Sequence, residues 1–251
     1  MKLLEAIYRR KSVRDFMDGE IEEDILERIR ERVNRIDLLY EKSKIMCVIS
    51  DYCKKSYYAP YYVGVYTDNT KEGVMNAGFV LQQLSIYLSA IGIASCYQTK
   101  PVIFKPVNTK GMKLAISIAF GYPVDKMYRE ADEVSRLSKN KICVIKEKPN
   151  EEVERLMELG RISPSSYNTQ PWRFVVYNNR MHVFVKKKML STLTRLKYVN
   201  MGVMLGNISI GAEELWIDIE FREIKDIKSK DYGDNEYLIS IYNKNTDGRR
   251  I

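Results

Sequence analysis

The chain repeats a long apolar segment of its own sequence, and this repeat constrains the fold more than any other feature. The segment NAGFVLQQLSI, which begins at Asn76, resembles NMGVMLGNISI, which begins at Asn200, at an offset of 124 residues. Three shorter runs recur in the same order: 46–49 with 174–177, 62–66 with 182–185, and 115–118 with 238–241. A chain that repeats a unit of this size is expected to build two related substructures.

Each unit has the same predicted order: a helix, two strands, a long helix and a further strand. The segments 73–92 and 198–215 are apolar on nearly every face, which is typical of buried helices, and their small residues allow close approach. Residues 21–35 and 150–159 have the pattern of amphipathic surface helices. The predicted fold class is α+β, with two related halves whose mixed or antiparallel sheets are flanked by helices around a central buried helix pair.

The boundary between the halves is predicted near the polar stretch Glu147–Asn150, which has the composition of a linker. The first half would comprise residues 1–146 and the second half residues 147–251. Together the two halves are expected to form one functional unit.

The charge balance of the 251 residues is basic, with 41 Lys and Arg against 33 Asp and Glu, a net charge of +8. Nucleic-acid binding is one interpretation, but the cations are interspersed with acids and no nucleic-acid-binding motif accompanies them. We therefore expect a solvated surface and no nucleic-acid partner.

Four cysteines without a C-x-x-C pair and a single histidine predict no metal site and suit a reducing compartment.

Neither a secretion signal nor a membrane span is expected from the sequence. The first residues are charged and lack an apolar core, and the most apolar stretch, 79–95, is interrupted by Gln82 and Gln83. The expected location is the cytoplasm, with no membrane partner.

The first motif with chemical content is the basic run Arg9-Arg10-Lys11-Ser12-Val13-Arg14-Asp15-Phe16, which follows a short predicted helix. Guanidinium groups offer a planar fork of donors and the serine adds a neutral one, so this run can hold a phosphate. Taken alone, the same pattern is also typical of a solvated basic helix end.

The second motif is the polar loop 163–174, with the sequence SPSSYNTQPWRF, between a predicted helix and a predicted strand. Two prolines fix the backbone, and the amide side chains between them both donate and accept, which suits the edge of a pyrimidine ring. The alternative is a polar turn that enters a strand, with Trp172 filling the core.

Together, R-R-x-S-x-R-x-F and S-P-S-S-x-N-x-Q-P-W-x-F resemble the signature pair of the nitroreductase family. The turn Gly121-Tyr122-Pro123 resembles the G-x-P turn of that family. The first half of this chain lacks the polar loop, and the second half lacks the basic run. The chain is therefore similar to the single-chain, TM-type branch of the family, which implies one FMN site built from both halves and a vestigial second site.

The resemblance also implies roles for individual residues. The basic run would hold the phosphate and ribityl chain, Arg14 would lie near the N1/O2 edge of the flavin, and the polar loop would line the isoalloxazine ring. Trp172 is expected to be a core anchor, and no side chain is expected to be catalytic. The cofactor-binding residues implied are Arg10, Lys11, Ser12, Arg14, Arg136, Pro164, Ser165, Ser166, Asn168 and Gln170.

The activity implied is transfer of hydride from NADH or NADPH, through N5 of bound FMN, to a nitroaromatic, a quinone or a similar small-molecule acceptor. A fused pair would act as a monomeric pseudo-dimer. The alternatives are other flavin chemistry within the family and a flavin-binding regulatory protein without enzymatic activity. The run Tyr57, Tyr58, Tyr61 and Tyr62 would either wall the acceptor site or, as we favour, pack at a sheet edge.

Overall fold

The computed structural model describes residues 1–54, 58–99, 102–103, 108–130, 133, 135–188, 194–228 and 232–246. The helices are α1 (Leu3–Arg9), α2 (Glu23–Asn34), α3 (Lys71–Ala90), α4 (Lys139–Ile142), α5 (Glu151–Arg161), α6 (Thr194–Glu214) and α7 (Lys225–Lys228). The strands are β1 (Ile45–Ser50), β2 (Cys53–Lys54), β3 (Tyr61–Thr67), β4 (Ala94–Gln98), β5 (Val102–Ile103), β6 (Lys113–Gly121), β7 (Cys143–Ile145), β8 (Trp172–Val176), β9 (Arg180–Lys186), β10 (Ile219–Arg222) and β11 (Asn235–Asn243).

Two main sheets share one strand order. The first sheet runs β1-β3-β6-β4, with every neighbouring pair antiparallel. The second runs β8-β9-β11-β10 in the same sense, again antiparallel, and carries β7 as an additional parallel strand beside β8. Strands β2 and β5 form a separate small pair. The predicted α+β fold with mixed and antiparallel sheets is confirmed.

The helices α3 and α6 lie buried at the centre of the molecule, as predicted, and cross at two glycines. A Cβ on Gly78 would lie 2.1 Å from the carbonyl oxygen of Val199, and a Cβ on Gly202 would lie 1.9 Å from that of Met75. Only glycine permits backbones to approach this closely. Each contact is the other shifted by the 124-residue offset, which is the geometry expected of two related halves.

Each sheet packs against its own side of the central helix pair and forms its own core. The first core contains α2, β3 and β6 with one side of α3, and the second contains α5, β8 and β9 with much of α6. Amphipathic α2 and α5 cover these cores; both bounds agree with the sequence prediction within two residues at each end. Trp172 is fully buried in the second core, as expected of an anchor.

The described residues 122–130, 133 and 135–145 form a strap that crosses from the first sheet to the second. Beyond Pro123, the strap pairs with the N-terminal segment through Tyr128, and it ends as β7 against β8. The sequence did not predict β7, nor the strands β4 and β10 that follow the central helices. The boundary predicted between residues 146 and 147 stays a prediction, although β7, which precedes it, lies in the second sheet.

In the described part of the chain, no helix combines the length and the apolar character needed to cross a membrane.

Candidate functional site

The basic N-terminal run lies in an extended segment between α1 and α2. The backbone N–H of Val13 donates to the carbonyl oxygen of Ser95 at 3.1 Å, which fixes the segment along β4. Val13 and Phe16 are buried beneath it. Because alternate residues of an extended chain point to opposite sides, burial of Val13 turns Ser12 and Arg14 to the other side.

The polar loop 163–171 is held by hydrogen bonds of its own side chains. The Ser165 hydroxyl accepts from the backbone N–H of Gln170 at 3.0 Å, and the Thr169 hydroxyl donates to the carbonyl oxygen of Ser166 at 3.0 Å. Tyr167, Asn168 and Gln170 all have positive φ, which costs energy in residues other than glycine. The loop is therefore a fixed and strained structure rather than a simple turn.

Two asparagines with the same geometry attach the central helices to the segments that precede β1 and β8. Asn200 on α6 accepts at Oδ1 from the Ser166 N–H at 2.9 Å, within the polar loop. Asn76 on α3, at the offset of 124, accepts from the N–H groups of Leu39 and Tyr40, both at 3.0 Å. One asparagine therefore positions the polar loop, and the other positions the corresponding segment of the first half.

The N-terminal segment and the polar loop meet at a cavity of about 500 Å³ beside the central helices. This volume lies in the range of about 300–1,000 Å³ that is typical of small-molecule sites. Both halves supply walls. The lining residues are Ser12, Arg14, Cys96, Tyr97, Gln98, Thr99, Ile116, Pro164, Ser165, Ser166, Tyr167, Val199, Asn200 and Val203.

Three arginine side chains, those of Arg10, Arg129 and Arg136, lie close together behind the cavity, and Glu133 acts electrostatically on Arg129 alone among them. Arg10 is 3% exposed; its hydrogen bond is to the Ser12 hydroxyl at 3.4 Å, and the described part of the chain gives it no carboxylate partner. Burial lowers the pKa of Arg10. Burial, reinforced by the other guanidinium groups, also lowers the pKa values of Arg129 and Arg136 to about 10. Such a cluster favours a bound anion, which would offset the cost of burying positive charge.

Five of the residues predicted for the cofactor lie on the cavity: Ser12, Arg14, Pro164, Ser165 and Ser166. Arg10 lies behind Ser12 in the arginine cluster. Lys11 is half-buried and is not among the lining residues. Their roles toward a cofactor stay predictions.

The remaining three predicted residues join the polar loop to the strap. The Arg136 guanidinium donates to the carbonyl oxygen of Ser163 at 2.9 Å and to Asn168 Oδ1 at 3.1 Å. Gln170 is buried and accepts at Oε1 from the Leu137 N–H at 2.8 Å. Asn168 and Gln170 thus hold the loop against the strap.

Several residues of the site lie outside the two sequence motifs and were not predicted. Residues 96–99 reach the cavity because β4 lies beside the N-terminal segment, and β4 was not predicted. Arg129 lies in a strap whose path depends on pairing between distant segments. Of the tyrosines weighed as an acceptor wall, the described Tyr58, Tyr61 and Tyr62 are not among the lining residues of the cavity: Tyr61 stacks on Phe120 and Tyr62 is buried. Tyr57 lies outside the described residues.

The corresponding place in the other half is filled by aromatic rings. At the offset of 124, the cavity residues Val203 and Tyr97 correspond to Phe79 and Phe221. Phe79 is 3% exposed, and its ring meets that of Phe221 edge to face, with centroids 6.3 Å apart. Tyr40 also packs against this core, near the place that corresponds to the polar loop. The second cleft is therefore closed by the side chains of this chain itself.

These features, two like-ordered sheets on a central helix pair with a cavity shared between the halves, define a nitroreductase fold. The chain belongs to the family described as "Putative TM nitroreductase", whose family model matches residues 2–212. The crystal structure of a "putative nitroreductase" from Thermotoga maritima aligns over 96% of this chain and 94% of its own, with a TM-score of 0.68 and 19% identity. At that identity the likeness shows the fold.

Other relatives match over shorter lengths. An "Oxygen-insensitive NADPH nitroreductase" from Helicobacter acinonychis is 40% identical over 57 residues, which are 20% of this chain and 27% of that relative. The chain thus spans about a quarter of the curated relative that it matches. A nitroreductase with bound FMN from Desulfitobacterium hafniense aligns over 54% of this chain with a TM-score of 0.42 and 15% identity.

Proposed function

We propose that this chain binds one FMN in the shared cavity and acts as an NAD(P)H-dependent oxidoreductase of the nitroreductase type. Its acceptors would be nitroaromatics, quinones or similar small molecules. The observation that carries the proposal is that Ser12 and Arg14 line the same cavity as Pro164, Ser165 and Ser166, at least 150 positions away in the sequence. Membership of the nitroreductase family, and similarity to the Helicobacter NADPH nitroreductase, support this class of activity.

The arginine cluster suits the phosphate end of the cofactor. No carboxylate in the described part of the chain pairs with the buried Arg10, and Arg10 lies near enough to help lower the pKa values of both Arg129 and Arg136. A phosphate dianion would supply the missing negative charge and accept from several guanidinium donors. Ser12, bonded to Arg10 and exposed to the cavity, would add a neutral donor at the same end.

The polar loop suits the ring end. Pro164, Ser165 and Ser166 form one wall, and Val203 and Ile116 add apolar surface on which a planar ring can lie. Arg14 places a positive charge at the same cavity, where it would favour added electron density on the ring. Bound flavin would accept and release the hydride, and the side chains of the chain would bind, orient and tune it.

The closed second cleft supports a stoichiometry of one cofactor per chain. Phe79 and Phe221 fill the space that Val203 and Tyr97 leave open on the other side. Since both walls of the open cavity come from one chain, one copy would suffice to complete the site. The chain would thus act as a monomeric pseudo-dimer in the cytoplasm.

The test is to purify the chain, measure its absorbance between 350 and 500 nm, and titrate the flavin-free protein with FMN. We expect one FMN per chain, and oxidation of NADH or NADPH that depends on an added quinone or nitroaromatic. A protein that binds FMN but oxidises neither nucleotide would indicate the non-enzymatic alternative. A protein that fails to bind FMN would refute the proposal.

The arginine cluster can be tested by comparing FMN with riboflavin, which lacks the phosphate. Arg129→Met should weaken FMN binding by at least about tenfold, the effect of losing a charge-assisted hydrogen bond, and leave riboflavin binding unchanged. Arg173→Met is the matched control, because Arg173 is also a partly buried arginine but bonds the carbonyl oxygens of Gln170 and Trp172. Equal loss for both ligands would place the phosphate elsewhere.

A further inference from the structure

A line of buried side chains joins the two central helices and ends at the cavity. The Tyr97 hydroxyl lies 2.7 Å from Oε1 of Gln82 on α3. Nε2 of Gln82 lies 2.5 Å from Oδ1 of Asn207 on α6, and Nδ2 of Asn207 lies 3.3 Å from the carbonyl oxygen of Leu159. Gln82 and Asn207 are 0% and 1% exposed, so no solvent competes for these bonds.

The last group of this line fixes the direction of every bond in it. The Leu159 carbonyl can only accept, so Asn207 must turn its amide NH₂ toward it and its Oδ1 toward Gln82. Gln82 must then donate with Nε2, which leaves its Oε1 facing Tyr97. Because that oxygen can only accept, the Tyr97 hydroxyl must donate its proton to it.

This line of hydrogen bonds from Tyr97 through Gln82 and Asn207 is called the amide relay here, and the sequence repeat does not reproduce it. A Cβ on Gly206 would lie 3.1 Å from Cβ of Gln82, so the glycine at this position leaves room for the glutamine. At the offset of 124, Gly206 is the counterpart of Gln82, and Phe221, which lacks a hydroxyl, is the counterpart of Tyr97. The amide relay therefore lies on the side of the central helices where the open cavity is, and the residues at the counterpart positions Gly206 and Phe221 cannot form it on the side of the closed cleft.

Tyr97 is a lining residue of the cavity, and a phenol held in this way has lone pairs but no proton free for a further hydrogen bond. Burial raises the pKa of Tyr97, so the hydroxyl stays neutral. Arg10 also acts electrostatically on Tyr97, which places the phenol on the side of the cavity where the arginine cluster lies. A ligand group that meets this oxygen must therefore be a hydrogen-bond donor located between the phosphate end and the ring end.

We propose that Tyr97 accepts a hydrogen bond from a hydroxyl of the ribityl chain, and that Gln82 and Asn207 are positioning residues that hold it as an acceptor. This inference rests on the proposed flavin site. It assigns the two buried amides a role in ligand selection that neither sequence motif contains.

The test compares riboflavin with lumiflavin, which has the same ring but a methyl group in place of the ribityl chain. Affinities of the flavin-free protein are measured by quenching of flavin fluorescence. Tyr97→Phe should weaken riboflavin binding by about three- to tenfold, the loss of one neutral hydrogen bond, and leave lumiflavin binding within about twofold.

A second variant tests the relay. Gln82→Met combined with Asn207→Leu replaces both amides with apolar side chains, which leaves few polar groups unsatisfied. In this background, Tyr97→Phe should change riboflavin affinity less than in the wild-type chain. An equal effect in both backgrounds would show that the amides do not position Tyr97.

The outcomes separate the two proposals. If wild-type protein binds FMN and riboflavin but Tyr97→Phe leaves riboflavin affinity unchanged, or weakens riboflavin and lumiflavin binding equally, the role of Tyr97 is refuted and the flavin site stands. If wild-type protein binds no flavin, both fall together.

Discussion

Gly78 on α3 and Gly202 on α6 each lie against a backbone carbonyl of the opposite helix, at the oxygens of Val199 and Met75. The two contacts are reciprocal at the offset of 124 residues, so the central helices meet as the two copies of a homodimer would. The closeness of this crossing sets the distance between the two sheets and the position of the shared cavity beside it.

Substitution at this crossing should be severely destabilising. Gly202→Ala would place a methyl group 1.9 Å from the Met75 carbonyl oxygen, which cannot move without separating the helices. We expect a loss of about 2–3 kcal/mol or more in the free energy of unfolding, measured by urea denaturation. Gly206→Ala is the control, because its nearest backbone oxygen, on Phe79, is 3.0 Å away. Equal effects of the two substitutions would contradict the crossing described here.

The two loop-anchoring asparagines should have separable effects. Asn200→Ala and Asn76→Ala each leave backbone N–H groups without an acceptor, so both should lower stability by about 1–3 kcal/mol. Asn200→Ala should in addition weaken FMN binding about tenfold, equivalent to about 1.4 kcal/mol, because it releases the polar loop. Asn76→Ala serves as the matched control and should leave FMN affinity within about twofold. Similar FMN affinities of the two variants would rule out positioning by Asn200.

We expect the open cavity to close when Val203 is replaced by phenylalanine, the residue at the counterpart position 79. Val203→Phe places at the cavity wall the residue that fills the second cleft as Phe79. We expect loss of FMN binding in a titration with retained secondary structure in the circular dichroism spectrum. Val203→Ala, which enlarges the same wall, should keep one FMN per chain. Full FMN binding by Val203→Phe would show that the ligand does not use this wall.

Stability should fall as the pH drops from about 6.5 to about 4 because of His182. Burial lowers the pKa of this histidine from 6.5 to about 4, and its Nδ1 lies 2.7 Å from the Ser240 hydroxyl. Between these values the unfolded chain binds a proton that the folded chain does not, so acid favours unfolding. The measurement is the free energy of unfolding in urea at intervals of pH.

His182 is the single histidine of the chain, so its contribution can be isolated. His182→Gln should be less stable at neutral pH but should show little pH dependence above about pH 5, where carboxylates begin to titrate. A slope that persists unchanged in this variant between pH 6.5 and 5 would assign the effect to other groups.

The sequence predicted those parts of the fold that depend on local pattern. The central helices, the amphipathic α2 and α5, and most long strands follow from local sequence pattern. The family resemblance of the two motifs, not their pattern alone, implied that Ser12, Arg14 and the Pro164–Ser166 wall share one site. Strand β7, Arg129 and the Gln82–Asn207 pair depend on contacts between segments far apart in the chain, which no local pattern encodes. The closed cleft could be predicted only in part. Aligning the two halves at the offset of 124 shows that Phe79 is the counterpart of Val203, but only the structure shows that Val203 lines a cavity.

The two walls of the cavity are joined by one polypeptide, and this changes how the site responds to dilution. A site at the interface of separate subunits loses a wall whenever the subunits dissociate, so its occupancy depends on protein concentration. Here the second wall is always present at the high effective concentration that covalent linkage imposes. A cell could therefore keep this protein at very low abundance and still retain a complete binding site in every copy.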